Sequence, residues 1–245
     1  MAHRIWEQPI KIRSYQVDNE SYLTIPALFS LMQEAAWEHV NLYDAGRSYL
    51  EPLNLFWALS KVYVKIYRLP KWNEKITLKT WGKSVQFLTH LRDFEFIDEN
   101  GKLLIAATSN WIILDTTNFR PQKIAFQHAP HFTCENRNAI EEKVPKLKKI
   151  EWNSEKLHFH PVLYSDLDMN QHVNNAKYLQ WLLDSPFYQF SSISKIKEII
   201  INYISQAKLD DQYTVQTLSL NPTYHLSSLF GKKEGEEYCR VAIQW

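Results

Sequence analysis

Apolar and polar residues alternate over residues 57–67, where Val62, Val64 and Ile66 recur with the two-residue period of a β-strand. A turn through Pro70, Trp72 and Asn73 leads into a second strand over 76–81. Residues 86–96 follow the strand pair. Asp98-Glu99-Asn100-Gly101 then supplies a hairpin turn, and a strand follows over 103–114. Near the other end, 199–203, 213–217 and 238–245 read as strands, the first two joined by a turn through 208–212. Ahead of each strand set the period lengthens. Leu28, Leu31, Met32 and Ala35 follow Pro26 at helical spacing, and Ala176, Leu179, Leu182 and Leu183 follow an Asn-rich start.

The two sets read as one unit occurring twice. Placing Lys71 on Lys208 superposes Thr77 on Thr214 and Thr80 on Thr217 without a gap. Each helix follows an Asp-containing loop, Val17-Asp18-Asn19-Glu20 and Leu167-Asp168-Met169-Asn170. The first set carries an extra loop, roughly 42–52. A helix followed by antiparallel strands, twice, predicts an α+β architecture in which each long helix is buried against a curled sheet. The expected organisation is an N-terminal unit over 1–128, a linker over 129–150 and a C-terminal unit over 151–245. Four lysines between Lys143 and Lys149 read as part of a solvated linker, ahead of the alternative of a contact for an acidic carrier.

Composition narrows the function classes. The 245 residues are long enough for one large or two small cores. Only 5 glycines stand against 9 tryptophans, 13 tyrosines and 12 phenylalanines, which favours pleated surface over phosphate-cradling loops. A net charge of +1 gives no reason to expect nucleic acid or an anionic membrane. No stretch approaches the roughly 18 apolar residues of a membrane span, and no signal peptide is evident. Cys134 and Cys239 lie far apart, so a soluble protein of the reducing cytoplasm is expected. There is no Gly-x-Ser-x-Gly elbow. His158 and His160 share a strand face without an evident third ligand, so no metal is expected.

The densest polar cluster is Ser165-Asp166-Leu167-Asp168-Met169-Asn170-Gln171-His172-Val173-Asn174-Asn175, where a loop enters the second helix. A helix start offers backbone N–H donors and a positive dipole end, useful to a developing oxyanion. Histidine exchanges protons near neutral pH, and a carboxylate and an amide can orient it. The competing reading is that Asp and Asn only cap and turn the chain. Aligning Asp18 with Asp168 sets Glu20 against Asn170 and Tyr22 against His172, so the first copy lacks the imidazole.

The run Asp168-x-Asn170-x-His172-Val173-Asn174-Asn175, with Tyr178 and Trp181, resembles the signature of the acyl-acyl-carrier-protein thioesterases of plants and bacteria. The likeness extends through Gln33-Glu34-Ala35, Trp57-Ala58-Leu59, Asn100-Gly101-Lys102, Ser109-Asn110-Trp111, Asp115 and Arg120-Pro121, in order. It implies a double hot-dog fold, two helix-plus-sheet units forming an intrachain pseudo-dimer. It also implies hydrolysis of the thioester between a long acyl chain and the phosphopantetheine arm of acyl carrier protein, without metal or other cofactor. The N-terminal unit would take the acyl tail, with Leu28, Leu31, Met32 and Trp57 as substrate-binding candidates. One departure bears on mechanism. Plant-type members carry Glu-Cys after the tyrosine-bearing strand of the second unit, whereas alignment on Tyr203 puts Gln206 and Ala207 there.

A cysteine nucleophile is therefore not expected. Water attacks the thioester directly, with Asp168 and His172 together supplying the base, and the sequence does not decide which takes the proton. Asn170 and a backbone N–H at the helix start receive the carbonyl oxygen, and Gln206 holds the water, since an amide can orient water but accepts no proton. The alternatives are an acyl-coenzyme A thioesterase and a non-catalytic acyl- or carrier-binding protein. Chain-length preference, the choice of carrier and pairing of two chains into a homodimer stay open.

Overall fold

The computed structural model describes residues 4–124, 126, 133–151, 158–188, 193–233 and 235–245. The chain divides into two compact units, Met1–Val144 and Pro145–Trp245.

The first unit holds β1 (Trp6–Lys11), β2 (Leu55–Ile66), β3 (Lys75–Gln86), β4 (Thr89–Asp98), β5 (Leu103–Asp115) and the two-residue β6 (Pro121–Gln122). They pair antiparallel in the order β1-β3-β4-β5-β2, with β6 on β5. Helix α1 (Ile25–Asn41) packs on β3 and β1. Its Thr24 cap accepts the Ala27 N–H at 3.3 Å, and Pro26 stands in the first turn, where its missing N–H costs nothing. Leu28, Met32, Ala35 and Ala36 are buried on its inner face. Ile76, Leu78, Phe94 and Phe96 supply buried apolar positions on β3 and β4. The extra loop contains one helical turn, α2 (Arg47–Leu50), which the sequence did not suggest. Leu50 and Ala45 from this region bury with Val40, Ile113 and Phe126 in a small core cluster.

The second unit holds β7 (His160–Pro161), α3 (Asn175–Leu183), β8 (Glu198–Tyr203), β9 (Gln212–Asn221), β10 (Tyr224–Gly231) and β11 (Glu237–Gln244). The order β7-β9-β10-β11-β8 repeats that of the first unit strand for strand. Helix α3 is 9 residues long against 17 for α1. Pro186 follows within three residues, and the residue before a proline is driven out of the helical region. The second helix therefore ends at Leu183, where the apolar spacing ends.

The stretch expected as a linker is packed. Its first residues, 129–132, lie outside the described residues. Beyond them, the Cys134 N–H donates to the Gly82 carbonyl at 2.8 Å, the Ala139 N–H donates to Asp93 Oδ2 at 2.7 Å, and Ile140 is buried. Past Pro145 the chain turns to the second unit: the Leu147 N–H donates to Asn202 Oδ1 at 2.9 Å. His160 lies against the Tyr213 ring, with centroids 5.4 Å apart. No helix among the described residues is long and apolar enough to cross a membrane.

Candidate active site

The loop before α3 is built from its own side chains and backbone. Asp168 Oδ1 accepts the Asn170 N–H at 2.8 Å, and the Gln171 N–H donates to the Asp168 carbonyl at 3.0 Å. The Asp168 N–H donates to the His172 carbonyl at 2.8 Å, closing a tight turn in which Gln171 adopts φ 61°. Asp166 underpins it. Its Oδ2 accepts the Leu163 N–H at 2.9 Å, its carbonyl accepts the Asn174 N–H at 2.9 Å, and Lys177 lies 3.5 Å from its Oδ1. Asn174 caps α3 by accepting the Ala176 N–H at 2.9 Å.

The loop before α1 is the same device. Asp18 Oδ1 accepts the Glu20 and Tyr22 N–H groups, both at 2.9 Å, and Ser21 adopts φ 66°. The Asp18 N–H donates to the Tyr22 carbonyl at 2.9 Å, and the Thr24 N–H to the Gln16 carbonyl at 2.9 Å. Asp18 thus stands where Asp168 stands, and Tyr22 where His172 stands. The turn is common to both copies; the imidazole belongs to the second alone.

A second loop meets each of these. In the C-terminal unit the Val173 N–H donates to the Ala207 carbonyl at 2.9 Å, and the Ala207 N–H donates to the Tyr178 hydroxyl at 2.9 Å. That fixes residues 206–208 against the catalytic candidates, so Gln206 and Lys208 flank a backbone contact to the residue after His172. In the N-terminal unit the Leu23 N–H donates to the Pro70 carbonyl at 2.8 Å, and the next residue, Lys71, lies over the Tyr22 ring at 4.6 Å. Lys208 occupies the corresponding place beside His172. It was overlooked as a site residue, although the superposition of Lys71 on Lys208 carried the signal.

Electrostatics follow from this placement. Burial lowers the His172 pKa below 6.5, the Lys208 ammonium lowers it further, and the Asp168 carboxylate opposes both. The imidazole is therefore neutral at pH 7 and able to accept a proton. Two tyrosines brace the backbone of the adjoining segments. The Tyr203 hydroxyl donates to the Asn175 carbonyl at 2.9 Å, and Tyr178 stacks edge-on to Trp181 and Tyr203. Burial raises the pKa of Tyr178 and of Tyr203, so both remain phenols. The helix start has fewer open donors than its dipole suggests, because the Val173, Asn174 and Ala176 N–H groups are already engaged.

The substrate-binding candidates divide. Leu28 and Met32 are buried in the core, and Leu31 is half-buried on α1. None of these three lines the cavity of about 190 Å³ in the N-terminal unit, whereas Trp57 does. Its indole N–H donates to the Ala45 carbonyl at 2.8 Å, and its ring meets His90 edge-on and Phe126 face-on.

Comparison with known proteins places the chain in a family. Residues 3–129 match the acyl-ACP thioesterase N-terminal domain and residues 148–245 the acyl-ACP thioesterase C-terminal domain. The chain is 28% identical to the chloroplastic oleoyl-acyl carrier protein thioesterase 2 of Arabidopsis thaliana, over 92% of this chain and 66% of that protein. Against oleoyl-acyl carrier protein thioesterase 1 of the same plant it spans 61% of the relative's length, so the chain covers under two thirds of these relatives. Its fold is that of an acyl-ACP thioesterase from Bacteroides thetaiotaomicron, with TM-score 0.85, 23% identity and coverage of 99% and 98% of the two chains. It is equally that of the 12:0-ACP thioesterase from Umbellularia californica, with TM-score 0.86, 24% identity and coverage of 99% and 97%. Tandem hot-dog units, in the expected order and spanning almost all of its length, make this chain a member of the acyl-ACP thioesterase family.

Proposed function

We propose that the protein hydrolyses the thioester of long-chain acyl-acyl carrier protein, releasing the fatty acid, with the C-terminal unit as the catalytic one. The observation that carries this reading is a neutral imidazole, His172, held in a turn by Asp168 and adjoined by the loop bearing Gln206 and Lys208. His172 takes a proton from water as the oxygen attacks the thioester carbonyl. Asp168 has one carboxylate oxygen committed to the turn, so its part is to hold the loop and stabilise the imidazolium that forms. Asn170 and the Asn175 N–H, at the first residue of α3, receive the carbonyl oxygen as it gains charge. Gln206 holds the water. The leaving thiolate is a weak base, so its protonation is a minor demand. Ala207 closes the cysteine route, since its methyl group offers no nucleophile.

In this reading the N-terminal unit takes the acyl tail, and Leu31 and Trp57 are better placed for it than the core residues Leu28 and Met32. Acyl carrier protein is the partner, and the cytoplasm is the compartment that suits two free thiols. The test is turnover of palmitoyl- and oleoyl-carrier protein by His172→Ala. Loss of about 10²–10⁴ in kcat is expected for removal of a general base. Unchanged turnover in a correctly folded variant would remove His172 from the chemistry.

A further inference from the structure

Ala207 is pinned on both sides, and its two bonds act on different peptide planes. Its carbonyl accepts the Val173 N–H at 2.9 Å, and its N–H donates to the Tyr178 hydroxyl at 2.9 Å. The carbonyl shares a plane with the Lys208 N–H, which donates to Asp211 Oδ2 at 2.8 Å. That plane is held at both ends without Tyr178. The Ala207 N–H shares its plane with the carbonyl and Cα of Gln206. Among the described residues Gln206 makes no hydrogen bond of its own. The direction in which its side chain leaves the backbone therefore rests on the Tyr178 bond.

Tyr178 is suited to the task. It is 2% exposed, and its ring meets Trp181 at 5.3 Å and Tyr203 at 5.9 Å, both edge-on, so its neighbours fix the hydroxyl. Burial raises its pKa, so the group stays a phenol across the working range.

The first unit shows that the fold does not require this bond. The Leu23 N–H donates to the Pro70 carbonyl at 2.8 Å, as Val173 does to Ala207. The Tyr67 and Arg68 N–H groups donate to the Leu104 carbonyl, as Ile204 and Ser205 do to Tyr238. In that register Pro70 stands for Ala207 and Leu69 for Gln206. Leu28 stands for Tyr178, each the fourth residue of its helix. Pro70 has no N–H to donate, and Leu28 has no hydroxyl to receive one. Donor and acceptor are absent together, in the copy that also lacks the imidazole and the amide.

We infer that Tyr178 is a positioning residue of the hydrolytic site, its hydroxyl orienting Gln206 toward the attacking water through the Ala207 N–H. The inference rests on the thioesterase reading and on the part given there to Gln206. Tyr178 acts through the backbone and exchanges no proton.

A double-mutant cycle on the whole chain with palmitoyl-carrier protein, read per folded chain, tests this. Tyr178→Phe keeps the ring and loses the bond; Gln206→Ala loses the amide. Each should lower kcat about tenfold, the loss expected for one hydrogen bond, with KM within about twofold of native. The double variant should be no slower than Gln206→Ala, because Tyr178 then has nothing to orient. The acid limb of kcat/KM should keep its place in Tyr178→Phe, since Lys208 is held without it. Tyr178→Leu, which copies the first unit, should repeat these kinetics and serves if the phenylalanine variant does not fold. Losses that multiply to about a hundredfold in the double variant overturn the inference. So do native turnover by Tyr178→Phe or by Gln206→Ala, and a limb that moves with Tyr178→Phe. A native chain that hydrolyses neither carrier nor coenzyme A thioesters ends the thioesterase reading and this inference together. Hydrolysis by the native chain and loss of it in His172→Ala, with either failure above, ends the inference alone.

Discussion

In the proposed mechanism His172 is governed by burial and by two neighbours acting in known directions. A base must be deprotonated to act, and burial together with Lys208 keeps this imidazole deprotonated below its ordinary 6.5, against the pull of Asp168. The acid limb of kcat/KM should therefore lie below pH 6.5. Replacing Lys208 with Met removes a positive neighbour, raises the imidazole pKa and should move the limb to higher pH. Asp168→Asn removes the opposing negative charge and should move it the other way, while the amide oxygen can still accept the Asn170 N–H. A pH–rate profile of the three proteins decides the matter, and a limb indifferent to both changes would mean that another group titrates. Lys208 itself was hard to find from sequence, because it lies on a different loop and shows its role only when that loop is seen against the helix start.

At the scale of elements, the turn before each helix separates structure from chemistry. Asp18 and Asp168 hold equivalent turns through charge-assisted bonds to backbone N–H groups. Asp18→Ala should cost about 1–3 kcal/mol in denaturant unfolding and leave kcat intact; Asp168→Ala should cost a similar stability and lower kcat as well. Equal kinetic effects from the two would mean that the aspartate is only a turn former. The elements most legible in sequence were those whose faces differ. On β3, Ile76, Leu78 and Thr80 are buried while Lys75 is exposed, so the two-residue period survived. β10 gave no such pattern, because Ser227 and Ser228 are both buried and inward serines mimic a loop. β1 hid behind Pro9, which argues against a central strand but is tolerated at an edge, and among the described residues β1 pairs with β3 alone. The site was legible in part for the same reason. Asp168, Asn170 and His172 are consecutive alternates on one loop, whereas the cavity lined in part by Trp57 draws on residues from α1, β2, β3, β4 and β5 that no local pattern connects.

For the whole molecule, the segment that opens the second unit is held more firmly than a solvated linker would be. Leu147 is buried, its N–H donates to Asn202 Oδ1 at 2.9 Å, and its carbonyl accepts from Arg240 Nη1 at 3.0 Å. The Asn202 amide in turn donates to the Pro145 carbonyl at 3.1 Å. Arg240 is held for this by Glu237, which accepts at 2.8 and 2.7 Å and also receives the Ser228 hydroxyl at 2.9 Å. Asn202 thus ties two points of a segment that carries Lys146, Lys148 and Lys149, the residues after which trypsin cuts. Asn202→Ala leaves the buried Leu147 N–H without its partner, at about 1–3 kcal/mol, and removes the bond to the Pro145 carbonyl as well. Because cleavage follows the population of the locally open segment, cutting at these three lysines should rise at least about tenfold. The rise should be confined to them, with sites such as Lys79 in β3 cut no faster, since that strand keeps its ladder on both sides. A uniform increase at every site would indicate global unfolding, and no increase would show that Leu147 burial and Arg240 hold the junction without the amide.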